Sequence, residues 1–236
     1  MTYGQIDYTM SKLKLIDPRF GHLTMHLLFD FDGTLVDSYD CVIEATNLLA
    51  EQFKYRKIKE HEIEHLRNLS SRELINFLGV SFYKIPSLIR QIRHLLHDQM
   101  ANMKPVAHIV AILEIFYKAG CPLGILTSNS IDNVLIWLEM HQIHHFFSFI
   151  HDESNCFSKR HLLKKTLKKY KIDKSKVFYI GDETRDIEAA KRNNIQSIAV
   201  TWGYNSEKVL LHQPTYLAKH PEDLLTICLH SQDLAP

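Results

Sequence analysis

The chain alternates short apolar runs with longer segments in which apolar residues recur every three or four positions. The apolar runs lie at residues 26–29, 121–126, 146–150, 177–180 and 196–200, with a weaker one at 215–218. Such runs are typical of strands that a parallel sheet buries on both faces. The segments between them predict helices, so the alternation predicts βαβ units. We therefore expect an α/β fold with a Rossmann-like three-layer core around a parallel sheet.

One long interval breaks this alternation, because residues 38–104 show only helical patterns. Val42, Ala45 and Leu49 mark one apolar stripe, and Pro86 stands where a later helix would begin. We expect a small all-helical cap inserted after the first strand, with residues 25–37 and 105–236 forming the catalytic core. Residues 1–24 lack clear periodicity and are expected to be an N-terminal extension, poorly ordered unless something docks them.

Composition narrows the class of protein. The 236 residues are 45% hydrophobic and 23% charged, a balance that argues against wholesale disorder. Lys and Arg total 28 against 27 Asp and Glu, which disfavours a globally basic nucleic-acid binder. No apolar run approaches the ~18 residues of a membrane helix, and the four cysteines show no CxxC spacing. We therefore expect a cytoplasmic protein with reduced thiols and no membrane partner.

The strongest chemical signal follows the first predicted strand, where residues 30–34 read DFDGT. Carboxylates two positions apart on a strand would face the same side and repel each other. A cation between Asp30 and Asp32, with a departure from strand geometry at Gly33, would resolve that conflict. The structural alternative is an Asx-rich turn after a strand, and the remaining motifs decide between the two.

Three further polar segments follow along the chain. Residues 127–129 read TSN after the second predicted strand, Lys159 opens a basic segment, and residues 181–186 read GDETRD after the fourth. Taken singly, they would be explained by a helix N-cap, a solvated lysine and a turn with capping acids. The carboxyl ends of parallel strands meet at one edge of a sheet, so together the segments predict one site.

These motifs, in this order, resemble those of the haloacid dehalogenase-like hydrolase superfamily, especially its phosphoglycolate-phosphatase-like branch with a helical cap. The first motif reads DFDGTLVDS, and the resemblance covers nearly the whole chain, from residue 25 to about residue 225. It implies Mg²⁺-dependent hydrolysis of a small phosphate monoester, with 2-phosphoglycolate as the branch's namesake substrate. The dehalogenases of this superfamily lack the second aspartate of DxD, so Asp32 argues against dehalogenation.

The resemblance also implies a role for each site residue. Asp30 would attack phosphorus to form an aspartyl-phosphate, and Asp32 would protonate the leaving alkoxide and then activate water. Mg²⁺ would be held by Asp30, the backbone carbonyl of Asp32 and Asp182, with Asp186 orienting a metal-bound water. The residues expected to bind the phosphoryl oxygens are Gly33, Thr127, Asn129 and Lys159.

Two positions depart from the family's pattern. Ser158-Lys159-Arg160 stands where the family often has Gly-Lys-Pro, which leaves Lys164 and Lys165 as alternatives for the site lysine. Glu183 stands where many relatives carry Ser, and it would either reach the metal or cap the following helix.

A sugar-phosphate mutase would use the same core and is the first alternative function. Residues 66–73 read LRNLSSRE, which faintly resembles the cap stretch by which such mutases hold a second phosphate. Arg72 is therefore a candidate for substrate binding, while a surface arginine at a helix start is the structural alternative. In either function the partner would be a small phosphorylated metabolite, and the protein would be a monomer or a homodimer.

Two other segments suggest different functions. The basic stretch at residues 159–176 would serve a catalytically silent binding protein, but a solvated helix face is the default explanation. The presence of Asp30, Asp32, Lys159 and Asp182 also disfavours a silent protein. Residues 61–65 read HEIEH and fit the zinc-protease motif HExxH, but no motif for a third ligand follows. We expect two solvated histidines on a cap helix there.

Overall fold

A computed structural model describes residues 25–152, 159–205 and 212–233 of the chain. The expected N-terminal extension, residues 1–24, lies outside the described residues. None of the helices in these described ranges is long and apolar enough to cross a membrane.

The core is a six-stranded sheet in which every pair of neighbouring strands is parallel. The strands are β1 (His26–Phe29), β2 (Leu123–Thr127), β3 (Phe147–Asp152), β4 (Val177–Gly181), β5 (Gln196–Val200) and β6 (Tyr216–Ala218). Their order is β3-β2-β1-β4-β5-β6. Each predicted apolar run forms one of them, and the four inner strands are almost wholly buried, as a strand covered on both faces requires. The predicted α/β fold with a parallel sheet is confirmed.

The chain between β1 and β2 is largely helical. Its first helices are α1 (Tyr39–Phe53), α2 (Ile63–Leu66), α3 (Ser71–Leu78) and α4 (Ile85–His97). Ser70 and Glu73 form a capping box at the start of α3, and Gly79 ends that helix in the left-handed conformation. Apolar side chains of these helices pack into a cluster of their own. We call residues 38–104 the helical insert.

Five more helices cover the two faces of the sheet. They are α5 (Ile109–Lys118), α6 (Ile131–Met140), α7 (Lys159–Lys169), α8 (Thr184–Asn193) and α9 (Asp223–Asp233). Side chains of α5, α6 and α9 share one cluster with Leu27 and Phe29, whereas α7 and α8 share another with Leu28. Successive strand residues point to opposite faces, so β1 contributes to both layers and the core has three layers.

The two connections of the helical insert lie side by side. Asp37 N donates to Lys104 O at 3.0 Å, and Val106 N donates to Leu35 O at 2.9 Å. The chain therefore enters and leaves the helical insert at the same place, just after β1. This places the insert at the edge of the sheet where the carboxyl ends of the strands gather.

Candidate active site

Strand order brings the predicted site residues together. Asp30 follows β1, and its N–H donates to Ile180 O of β4 at 2.8 Å. Thr127 is the last residue of β2, and Asp182 follows β4 directly. Because β2, β1 and β4 are parallel neighbours, their carboxyl ends form one polar floor.

Lys159 enters this floor from the first turn of α7. Its side chain is 4% exposed, and its Nζ contacts the Asp30 carboxylate and lies 2.5 Å from Asp186 Oδ1. Burial by itself would lower the pKa of Lys159, but the carboxylates of Asp186 and Asp30 outweigh it and raise the pKa to about 12. The ammonium therefore stays charged. Lys164 and Lys165 are exposed on the same helix, so Lys159 is the lysine that reaches the site.

Three buried carboxylates surround this lysine. Asp30, Glu183 and Asp186 each offer an oxygen within 4.8 Å of the others. Glu183 is the N-cap residue of α8, and its N–H donates to Asp186 Oδ2 at 3.0 Å. Several carboxylate oxygens gathered at this spacing suit a hard divalent cation such as Mg²⁺. The two alternatives that the sequence left open for Glu183 therefore both apply: it begins α8 as the N-cap residue, and its carboxylate belongs to the acidic cluster.

Asp182 has a different environment from these three carboxylates. Its Oδ1 accepts a hydrogen bond from Thr34 Oγ1 at 2.8 Å, and its Oδ2 accepts one from Tyr204 N at 2.7 Å. A Cβ at Gly203 would lie 2.3 Å from Asp182 Oδ2, so only glycine allows this approach. Asp182 is fully buried and held in place, but it is not a member of the acidic cluster.

Gly33 shapes the floor through its backbone. It has a φ of 75°, and a Cβ there would lie 2.4 Å from Asp182 Oδ2. The Gly33 N–H donates to Val36 O at 2.9 Å. This amide is therefore engaged within its own turn, and the approach of a backbone N–H to the phosphoryl oxygens at Gly33 stays a prediction.

Two predicted polar residues, Thr127 at the end of β2 and Asn129 just after it, form a network next to Asp32. Asn129 Nδ2 donates to Asp32 Oδ2 at 3.0 Å, and Asn129 Oδ1 accepts from Asn133 Nδ2 at 2.9 Å. Thr127 Oγ1 accepts from Asn129 N at 2.9 Å. Asn129 therefore orients the Asp32 carboxylate, a role that the sequence did not suggest, while Thr127 lies buried beside it.

Burial raises the pKa of three aspartates, namely Asp30, Asp32 and Asp182. It raises the pKa of Asp30 to about 7, although Lys159 acts in the opposite direction. Burial also raises the pKa of Asp32, against hydrogen bonds from Ser38 and Asn129. The pKa of Asp182 is raised well above its usual range by burial and by the negative charge of Asp30. Cations are needed to keep so many buried carboxylates ionised at neutral pH.

A cleft of about 1260 Å³ lies between the helical insert and the core. Arg72 and Phe82 line it from the insert, and Lys159, Arg160 and Arg185 line it from the core. Arg72, which the sequence suggested as a substrate-binding residue, is exposed and lines this cleft. Its role in substrate binding stays a prediction.

Some residues of the site carried no assigned role in the sequence. Arg185 contacts the Glu183 carboxylate, and its Nη2 lies 3.4 Å from Ser128 Oγ. The hydroxyl groups of Ser38 and Tyr204 form a hydrogen bond of 2.9 Å near Asp32. Arg185 belongs to the GDETRD motif after β4, and Tyr204 lies in the loop after β5. Their positions just after strands were the feature of the sequence that could have identified them as site residues.

Residues 27–200 match the profile of the haloacid dehalogenase-like hydrolase family. The chain belongs to this family. It is 34% identical over 200 residues to a phosphoglycolate phosphatase from Synechococcus elongatus, an alignment that covers 84% of this chain and 94% of that protein. It is 24% identical over 219 residues to the pyrophosphatase PpaX from Bacillus pumilus, covering 85% of this chain and 94% of that one.

Solved structures of other proteins share the fold of this protein. A predicted phosphatase from Clostridium acetobutylicum superposes with a TM-score of 0.77 at 21% identity, over 88% of this chain and 99% of that one. CbbY from Rhodobacter sphaeroides, in complex with xylulose-(1,5)bisphosphate, gives a TM-score of 0.69 at 16% identity, over 85% and 96%. At these identities the likeness concerns the fold alone.

These findings confirm the superfamily, its phosphoglycolate-phosphatase-like branch and the prediction of an enzyme that hydrolyses phosphate esters. In the part of the chain that the structure describes, the acidic cluster is the group of His, Cys, Asp and Glu side chains that could hold a metal. His61 and His65 of the HEIEH stretch are not in it, and Glu62 there pairs with Arg56.

Proposed function

We propose that this protein hydrolyses a small phosphate monoester with Mg²⁺, through an aspartyl-phosphate on Asp30. One observation carries the proposal. The Asp30 carboxylate contacts the Lys159 ammonium within an acidic cluster, and Asp32, held by Asn129, follows two residues later. The phosphatase relatives support this general chemistry.

The charges of the site suit attack by a carboxylate on a phosphate dianion. Asp30 attacks phosphorus, and the bond between phosphorus and the ester oxygen breaks. Asp32 gives its proton to the departing alkoxide. Water then attacks the aspartyl-phosphate while Asp32 takes a proton from it, which releases inorganic phosphate and restores Asp30. Lys159 offsets the negative charge throughout, and Thr127 and Asn129 are proposed to contact the phosphoryl oxygens.

The donor set fits Mg²⁺, since it consists of carboxylate oxygens and a backbone carbonyl. We propose that Asp30 and the Asp32 carbonyl bind the ion with carboxylates of the GDETRD segment. Asp182 and Glu183 are the candidates for that last contact, and Asp186 is expected to orient a bound water. When bound, the cation would neutralise charge on the phosphoryl group and help to keep Asp30 ionised.

We propose that the helical insert acts as the cap that selects the substrate. It faces the polar floor across the cleft, and its movement would admit substrate and exclude water. Arg72 is the candidate cap residue for an anionic group of the substrate. The first substrate to test is 2-phosphoglycolate, because phosphoglycolate phosphatases are among the relatives of this chain.

The test is hydrolysis of p-nitrophenyl phosphate with and without Mg²⁺, followed by 2-phosphoglycolate, pyrophosphate and sugar phosphates. We expect metal-dependent release of inorganic phosphate that Asp30→Asn abolishes. Asp37→Asn is the matched control, since Asp37 belongs to the same DFDGTLVDS motif but is exposed. Absence of turnover across this panel by folded wild-type protein would overturn the proposal. Isomerised sugar phosphate without phosphate release would establish a mutase instead.

A further inference from the structure

The loop at residues 202–205, which follows β5, binds the floor of the site at several points. Trp202 Nε1 donates to Thr34 O at 3.2 Å, beside the DFDGT turn. Tyr204 N donates to Asp182 Oδ2 at 2.7 Å. Asn205 Oδ1 accepts from Thr184 N at 3.0 Å, at the start of α8. The loop therefore spans both acidic motifs, and its position is determined by them.

The Tyr204 side chain reaches the first acidic motif from this loop. Its hydroxyl lies 2.9 Å from Ser38 Oγ. The Ser38 side chain is buried, and it lowers the pKa of the Asp32 carboxylate, against the effect of burial. Asn129 holds the other side of that carboxylate, with Nδ2 at 3.0 Å from Oδ2. Asp32 thus lies between an amide from the β2 end and a pair of hydroxyl groups.

The helical insert holds the same tyrosine in place. The Tyr204 ring packs edge-on against Tyr39 of α1, with centroids 5.2 Å apart. The Arg67 guanidinium lies over the Tyr39 ring at 4.3 Å, and its Nη1 donates to Gly203 O at 3.1 Å. The orientation of Tyr204 therefore depends on the insert as well as on the core.

We propose that Tyr204 is a positioning residue that orients Asp32 through the Ser38 hydroxyl. The inference rests on the proposed function, in which Asp32 protonates the leaving group. The Tyr204 backbone N–H holds Asp182, whereas the Tyr204 hydroxyl group contacts Ser38, so we expect loss of the hydroxyl alone to affect proton transfer. A carboxylate that rotates away from the leaving oxygen loses general acid catalysis, while attack on phosphorus continues.

Proton transfer from Asp32 can be tested separately by comparing substrates with different leaving groups. A nitrophenolate leaves readily without a proton, whereas an alkoxide needs one. Because kcat/KM reports the steps up to the first irreversible one, it reflects formation of the aspartyl-phosphate rather than its hydrolysis. A variant with a displaced Asp32 should therefore lose kcat/KM selectively for alkyl phosphates.

The experiment compares Tyr204→Phe, Ser38→Ala and the double variant on 2-phosphoglycolate and on p-nitrophenyl phosphate. We expect kcat/KM to fall ~10-fold or more on the alkyl ester and less than about twofold on the aryl ester, since general acid catalysis contributes roughly 10²–10⁴-fold. The double variant should lose no more than Ser38→Ala alone, because both changes interrupt one chain of contacts. Tyr39→Phe is the matched control. It removes a neighbouring tyrosine hydroxyl, which donates to Ile63 O rather than to Ser38.

The outcomes separate this inference from the proposed function. If the wild-type protein shows no metal-dependent turnover, the proposed function itself is refuted. Active wild-type protein with equal losses on both esters would show that Tyr204 only supports the fold, and equal activity of Tyr204→Phe and wild type would also refute the inference. Circular dichroism and melting curves of each variant exclude unfolding as the cause of a selective loss.

Discussion

Replacing Asn205 with alanine tests how firmly the helical insert is docked on the core. Asn205 is 5% exposed, and its side chain contacts both the core and the helical insert. Its Nδ2 donates to Leu69 O at 2.9 Å and to Arg67 O at 3.3 Å, both in the insert. Its Oδ1 accepts from Thr184 N, one of the N-terminal amides of α8 that has no acceptor within the helix.

The expected cost follows from these three hydrogen bonds. A hydrogen bond contributes about 0.5–1.5 kcal/mol net, so removing all three should lower the free energy of unfolding by about 2–4 kcal/mol. The loss should be about 2 kcal/mol if water replaces the amide at the Arg67 and Leu69 carbonyl groups. For a protein of this size, the loss corresponds to a decrease in Tm of roughly 5–10 °C.

Urea unfolding followed by circular dichroism measures this loss, with a calorimetric scan for Tm. Asn102→Ala is the matched control, since Asn102 is exposed and the same amide is removed there. We expect the control to change the free energy of unfolding by less than about 0.5 kcal/mol. An equally small effect of Asn205→Ala would refute the reasoning, because it would mean that these contacts do not hold the insert on the core.

Three further predictions concern the site and its surroundings. Thr34→Val removes the hydroxyl that donates to Asp182 Oδ1, and it should lower the free energy of unfolding by about 1–3 kcal/mol, with Thr34→Ser close to wild type in urea unfolding. Burial and neighbouring lysines lower the pKa of His151 in the folded protein. The unfolded chain therefore takes up this proton first, and stability should fall as pH decreases below about 6.5, with a shallower decrease in His151→Gln when urea unfolding is repeated across that range. Mg²⁺ should raise the Tm of wild-type protein, and EDTA should reverse the shift. The shift should be smaller in Glu183→Gln if Glu183 binds the ion, whereas an unchanged shift would favour Asp182 as the ligand.

The carboxyl-end motifs were the most informative part of the sequence about the site. Asp30, Thr127 and Asp182 each follow or end a predicted strand, and parallel strands end at the same edge of the sheet. Their proximity could therefore be predicted without coordinates. Lys159 was harder to place, because it lies 129 positions from Asp30 and the same basic segment also contains Lys164 and Lys165. Its burial depends on how α7 packs against the sheet.

The sequence by itself determined the α/β core, the helical character of the insert and the identity of the acidic motifs. Apolar periodicity and backbone geometry are local properties, so they can be recognised in short segments. The tertiary structure alone decided that Glu183 joins the acidic cluster, that Asn129 holds Asp32, and that Tyr204 and Asn205 bridge to the insert. These contacts join residues far apart in the chain, and no local pattern encodes them. They depend on how the core and the insert pack together, since that packing sets which polar groups share a buried space.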